Sequence, residues 1–169
     1  MTTLKIAKQT AETDFNSAQS AFEPADNVYQ ENERLKQQVL QIQQEVNDLD
    51  TKINNLNTQI AALNKPSPDA TTEETAQIAI LIQERAKLQQ KKDQKDTELA
   101  TQQTDQHDYE TDPANIPLLH DWATLKATRD NKQTLYDDTV NKYDNLNSDI
   151  QDCIIISIQD LNSSDVMNP

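Results

Sequence analysis

The sequence predicts an all-α, elongated protein: an antiparallel helical hairpin or coiled coil with a long third major helix packing back along it, three to four helices in total. Three observations carry that expectation. The 169 residues include no glycine, where average usage would give roughly a dozen. An unbroken alternation of four- and three-residue apolar steps runs from Leu35 to Leu63. The two clear interruptions, at Pro66/Pro68 and at Pro113/Pro117, are made by proline beside polar capping residues. A chain without glycine carries no P-loop, dinucleotide-binding turn, EF-hand loop or nucleophile elbow. It also disfavours folds built on tight hairpin turns, whose positive-φ positions favour glycine.

The N-terminal segment places Leu4, Ala7, Ala11, Ala18, Ala21 and Phe22 on a helical period, with Phe15 beside the stripe. Alanine permits close packing but buries little area. Pro24 interrupts the pattern, because proline inside a helix removes a backbone donor. The expected division is an N-terminal helix over 1–23, then a hairpin over 25–110 built from helices 25–64 and 71–110. One kinked helix running to Asn64 is the alternative.

The second segment is the most regular. Val39, Val46, Ile53 and Ile60 fall at position a of a heptad, and Ile42, Leu49, Leu56 and Leu63 at d. Extended backwards, the register puts Leu35 at d, Asn32 at a and Val28 at d. A heptad held this long is the period of a coiled coil. The stripe occupies two positions in seven, so the helix expects a helical partner rather than a broad core. These residues, Asn32 through Leu63, form the candidate interaction seam.

After the prolines, Thr71 or Thr72 can cap a new helix, with Glu73 and Glu74 in its first turn. Its stripe reads Ile78, Leu81, Arg85, Leu88, Lys92, Lys95, Leu99, Gln102, Gln106 and Tyr109. A short loop predicts an antiparallel neighbour. Facing stripes of that kind keep a constant sum of residue numbers, and this pair keeps 141: Leu63 with Ile78, Ile53 with Leu88, Ile42 with Leu99, Asn32 with Tyr109. Lysine and glutamine on the far half make a poor cover for Val46 and Leu49, even with their methylenes laid along the seam. Branched residues at a with leucine at d suit parallel pairing of two copies. A homo-oligomer meeting through residues 32–49 is therefore one expectation, and an ordinary intramolecular bundle the favoured one.

A last long helix is expected over 113–162, with Asp112 and Asn115 as helix starts ahead of Pro113 and Pro117. Its stripe is Leu118, Trp122, Leu125, Arg129, Lys132, Tyr136, Val140, Tyr143, Leu146 or Asn147, Ile150, Ile154 and Leu161. Residues 163–169 read as a tail.

Composition limits the function classes. Lys and Arg total 15 against 29 Asp and Glu, a formal net charge of −14. Nonspecific nucleic-acid binding needs clustered cations, so no nucleic-acid partner is expected. Lys87, Lys91, Lys92 and Lys95 are interleaved with Asp93 and Asp96, which reads as a solvated face. No stretch reaches the ~20 apolar residues of a membrane span, so no stable membrane span is expected. The N-terminus lacks the apolar run of a secretory signal. That predicts cytoplasmic synthesis without a cleavable signal peptide, with non-classical export or packaging into a larger particle left open.

No chemistry-bearing constellation emerges. His107 and His120 flank the second proline break without the spacing or thiols of a zinc site. Cys153 beside isoleucines reads as a small buried hydrophobe. Asp137, Asp138, Asp144, Asp149 and Asp152 spread round a helix rather than converging as calcium ligands do. No catalytic residue, cofactor or metal is expected. The most unusual local feature is Ile154, Ile155, Ile156 and Ile158. Such a turn is expected either buried between several helices near the hairpin loop or used as a docking or oligomerisation patch.

The expected function is a non-enzymatic structural or protein–protein interaction subunit: a rigid helical rod, spacer or assembly component working with a protein partner or as a homo-oligomer. The alternative is a secreted or injected helical effector or a component of a pore-forming system.

Overall fold

The structure, a computed structural model, describes residues 2–64 and 71–165, with side chains as far as Ser157. The described residues form three helices: α1 from Thr2 to Leu63, α2 from Thr72 to Thr111 and α3 from Ile116 to Asp165. The fold is all-α. The first proline break, at Pro66 and Pro68, lies outside the described residues.

Each end has a local cause. Thr71 caps α2 with a full capping box: its hydroxyl accepts from the Glu74 N–H at 3.2 Å, and the Glu74 carboxylate accepts from the Thr71 N–H at 2.9 Å. This satisfies helix-end donors and sets negative charge at the positive end of the helix. At the other end Asp112 leaves the helix in an extended conformation, φ −60° and ψ 122°, which the following proline favours. Its carboxylate accepts from the Ala114 N–H at 2.8 Å, and its carbonyl from the N–H groups of Asn115 and Ile116. The Asn115 amide donates to the Tyr109 carbonyl at 3.0 Å and closes the corner. No described residue has a positive φ, so this corner never needs glycine. Asp112 thus ends α2 and folds the turn, and it does not start α3 as expected.

The expected boundary at Pro24 is corrected. α1 runs unbroken through 62 residues, Pro24 included, about 93 Å at 1.5 Å per residue. Proline deprives the Ser20 carbonyl of a donor, at a cost of about 3 kcal/mol. Its neighbours offset that cost: Phe22 and Ala25 are 3% and 0% exposed and Phe22 packs against Trp122, while Pro24 itself faces solvent.

The chain divides into two compact units, residues 1–29 with 117–169, and residues 30–116, so α1 contributes to both. Within its unit, α3 packs back along the N-terminal part of α1. Within that unit Lys8 meets Tyr143, Phe15 meets Tyr136, Phe22 meets Arg129 and Tyr29 meets Trp122. The residue numbers of each pair add to 151, the signature of antiparallel helices in one register. The protected face of α1 there is Leu4, Lys8, Ala11, Phe15, Ala18, Phe22, Ala25 and Tyr29, while Ala7 and Ala21 are exposed.

In the other unit, the second half of α1 pairs antiparallel with α2. Ile42 and Val46 are buried with Leu99, and Val39 packs against them. The pairs Asn57–Arg85, Asp50–Lys92 and Glu45–Lys95 keep sums within one of 141. Every residue of the α2 stripe predicted above is shielded, including its charged and amide members.

Candidate interaction surfaces

The seam residues Asn32, Leu35, Ile42, Val46, Leu49, Ile53 and Leu56 are buried, and Val39, Ile60 and Leu63 are half-buried. Their burial is within one chain. The poor cover expected from α2 works because its lysines lie across the seam and end on acids on both sides. Lys95 Nζ sits 2.7 Å from Glu98 on its own helix and 2.9 Å from Glu45 on α1. Those hydrogen bonds, with Glu98 first, raise the lysine pKa, and the bond from Lys95 holds the Glu45 carboxyl below its ordinary value. Lys92 repeats the arrangement, 2.7 Å from Asp96 and 3.6 Å from Asp50. The methylenes cover apolar surface while the ammonium stays near water.

Asn32 is the one polar residue of the seam and is 4% exposed. Its amide donates to the Glu110 carboxylate, while its own Oδ1 is buried without a partner. Burial pushes the Glu110 carboxyl up, but bonds from Gln106, Asn32 and Lys36 outweigh it and the net shift is downward. Lys36 Nζ lies 3.5 Å from Glu110 and 3.1 Å from Glu33. A polar residue at position a lowers stability and specifies register.

In the other unit the packing is aromatic. Trp122 stacks on Tyr29, contacts Phe22 with centroids 6.4 Å apart, and donates its indole N–H to Asp26 at 2.9 Å. The Arg129 guanidinium lies 4.5 Å from the Phe22 ring centroid, and Lys132 reaches Asp14 at 2.8 Å. Cation–π contacts of this kind contribute about 0.5–2 kcal/mol.

The third surface is the end of α3. Ile154, Ile155 and Ile156 are 53%, 53% and 57% exposed. The expectation that they are buried between helices is corrected. In the register of 151, Asp149 falls opposite Thr2, the first described residue of α1, and no described residue of α1 lies opposite Ile154 to Ile156. The side chain of Ile158 lies outside the described residues. An open groove of about 490 Å³ runs along this end, lined by Leu146, Asp149, Ile150, Cys153, Ile154 and Ser157. Cys153 is exposed, not buried as its isoleucine neighbours suggested.

His107 and His120 are both exposed, and His120 Nδ1 lies 2.7 Å from its neighbour Asp121. Among the described residues no three His, Cys, Asp or Glu side chains converge as a metal site would require, and no helix is long and apolar enough to cross a membrane. Comparison with protein-family models, with curated proteins and with solved structures finds no match to this chain.

Sequence reading missed two sets of residues. The first is the lower face of α1 at Lys8, Ala25 and Tyr29. A signal for it existed: position a of the heptad extends back without a fault through Ala25, Ala18, Ala11 and Leu4. Alanine hid it, because it carries little hydrophobic weight. The second is the groove lining at Leu146, Asp149 and Cys153, whose exposure depends on where α1 lies and not on the residues themselves.

Proposed function

We propose that this chain is a non-enzymatic structural or protein–protein interaction subunit, in which coiled-coil-like seams hold the helices and the apolar end of α3 serves as the docking element. The observation that supports this reading is the exposure of Ile154, Ile155 and Ile156 side by side. Contiguous exposed apolar surface is uncommon on a protein that works alone and marks contact sites. The seam at residues 32–49 is already used within the chain, so α3 carries the proposal better than a second subunit laid on α1.

A photo-crosslinker on Cys153, the sole thiol, tests the reading in an extract of the source organism. The expected result is a discrete adduct, either with a second copy or with another protein, that the same label at Asp137→Cys in a Cys153→Ser background does not give. Identical adduct patterns from both positions, or none, would overturn it. Release of vesicle contents by the pure chain would overturn it in favour of a membrane-acting effector.

A further inference from the structure

We propose that the groove at the end of α3 receives a helix of a different protein, one with a small or aliphatic seam flanked by lysine or arginine. The inference rests on the interaction reading and adds the chemistry of the partner. Leu146, Ile150, Cys153 and Ile154 stand at spacings of four, three and one, and Ser157 follows three later. That is a helical stripe, so its natural complement is another helix laid along it, not an extended strand.

The groove continues an interface already present in the chain. Tyr136, Tyr143 and Asn147 of α3 are shielded within the unit, and the stripe they belong to runs on through Ile150 to Ile154 without a change of period. The chain itself displays what covers this face one to two turns earlier. Along this part of the face α1 presents Leu4, Lys8 and Ala11. Lys8 Nζ lies 3.8 Å from Asp144 and 4.8 Å from the Tyr143 ring centroid. The cover is thus a small or aliphatic seam with a lysine at its edge.

Charge selects between a second copy and a different protein. After Lys142 the sequence contains Asp144, Asp149, Asp152, Asp160 and Asp165 and no Lys, Arg or His. Asp149 lines the groove itself. Lys8 already meets Asp144, but two α3 ends laid together would set Asp149 and Asp152 against their own kind, and α3 has no Lys, Arg or His beyond Lys142 to separate them. A basic helix would neutralise them, with an attraction that weakens as salt is added.

The test uses the full chain and two fluorescent amphipathic peptides of about 18 residues, some five helical turns. Both carry the same leucine stripe, one with lysine flanks and one with glutamate flanks. Anisotropy should show saturable binding of the lysine peptide, weakened by salt. Ile154→Asp should weaken it roughly tenfold or more, equivalent to about 1.4 kcal/mol. Asp149→Lys/Asp152→Lys should transfer the preference to the glutamate peptide. These positions are exposed, and circular dichroism checks that the variants keep their helix content. Equal binding of both peptides, or of the lysine peptide to wild type and Ile154→Asp, would overturn the inference. Sedimentation equilibrium separates the remaining outcome. A dimer that Ile154→Asp converts to monomer would replace the basic partner by a second copy and leave the interaction reading standing.

Discussion

The indole of Trp122 lies flat on the ring of Tyr29, centroids 3.8 Å apart and planes within 10°. The same indole donates to Asp26, 96 residues away in sequence. Together they tie α3 to α1 just beyond Pro24. Trp122 is half-buried, so Trp122→Ala should cost about 2–3 kcal/mol, below the range for a fully buried aromatic. Trp122→Phe keeps an aromatic ring and loses the bond to Asp26, for about 1 kcal/mol. Urea unfolding followed by circular dichroism measures both. Hydrogen exchange should show protection falling first in α3 and residues 2–29, with residues 72–111 retaining theirs, because the cluster belongs to one unit only.

Asn32 leaves a buried oxygen without a partner. Replacing such a residue by an apolar one removes an unpaid desolvation of about 1–3 kcal/mol. Asn32→Leu also gives up the amide's bond to Glu110, about 1 kcal/mol, so the melting temperature should rise by the remainder, while Asn32→Asp, which adds a charge beside Glu110, should lower it. The gain has a cost in specificity: a leucine at position a no longer distinguishes one register from its neighbour. Sedimentation of Asn32→Leu should reveal species heavier than wild type, and identical behaviour in melting and sedimentation would refute the assigned role.

Glu110 is held below the ordinary carboxyl range despite burial that opposes the shift. The sign follows from linkage. A carboxyl whose folded pKa lies below its unfolded value, about 4.3 for glutamate, stabilises the fold above that value. The contribution is lost as pH falls through the folded pKa. Glu110→Gln should lower the melting temperature at pH 7 by roughly 2–4 °C, matching about 1 kcal/mol in a chain of this size. The gap to wild type should close as the pH is taken from about 5 towards 3. A gap independent of pH would show that the carboxylate charge contributes nothing.

The capping box at Thr71 offers a local check on α2. Thr71→Ala should cost about 1 kcal/mol and Thr71→Asn almost nothing, since asparagine caps as well. Amide exchange in the first turn of α2 should quicken in the alanine variant alone. Equal exchange in both variants would mean that packing at Ile78 and Leu81, not the cap, holds this end.

Much of the fold was legible because helical period is a local property. The stripe from Asn32 to Leu63 and its α2 counterpart from Ile78 to Tyr109 can each be read from one helix, and their register follows from matching two such stripes. Lys92 and Lys95 looked like poor seam residues because side-chain length was weighed only as charge. Their acidic partners Asp50 and Glu45 lie across the hairpin, where a single stripe does not display them.

The absence of glycine, the heptad and the proline corners thus determined by themselves that the chain is helical, where the second half of α1 is shielded, and that the α2–α3 corner turns without positive φ. Only the tertiary structure decided that α1 passes through Pro24, that α3 takes residues 2–29 as its partner, and that Ile154 to Ile156 face solvent. The physical reason is the same in each case. A helix break, a choice of partner and an exposed face depend on free energy supplied by residues distant in the chain. Here that supply is the packing of Phe22 and Tyr29 on Trp122, which offsets the proline and holds α3 against residues 2–29 in the register of 151.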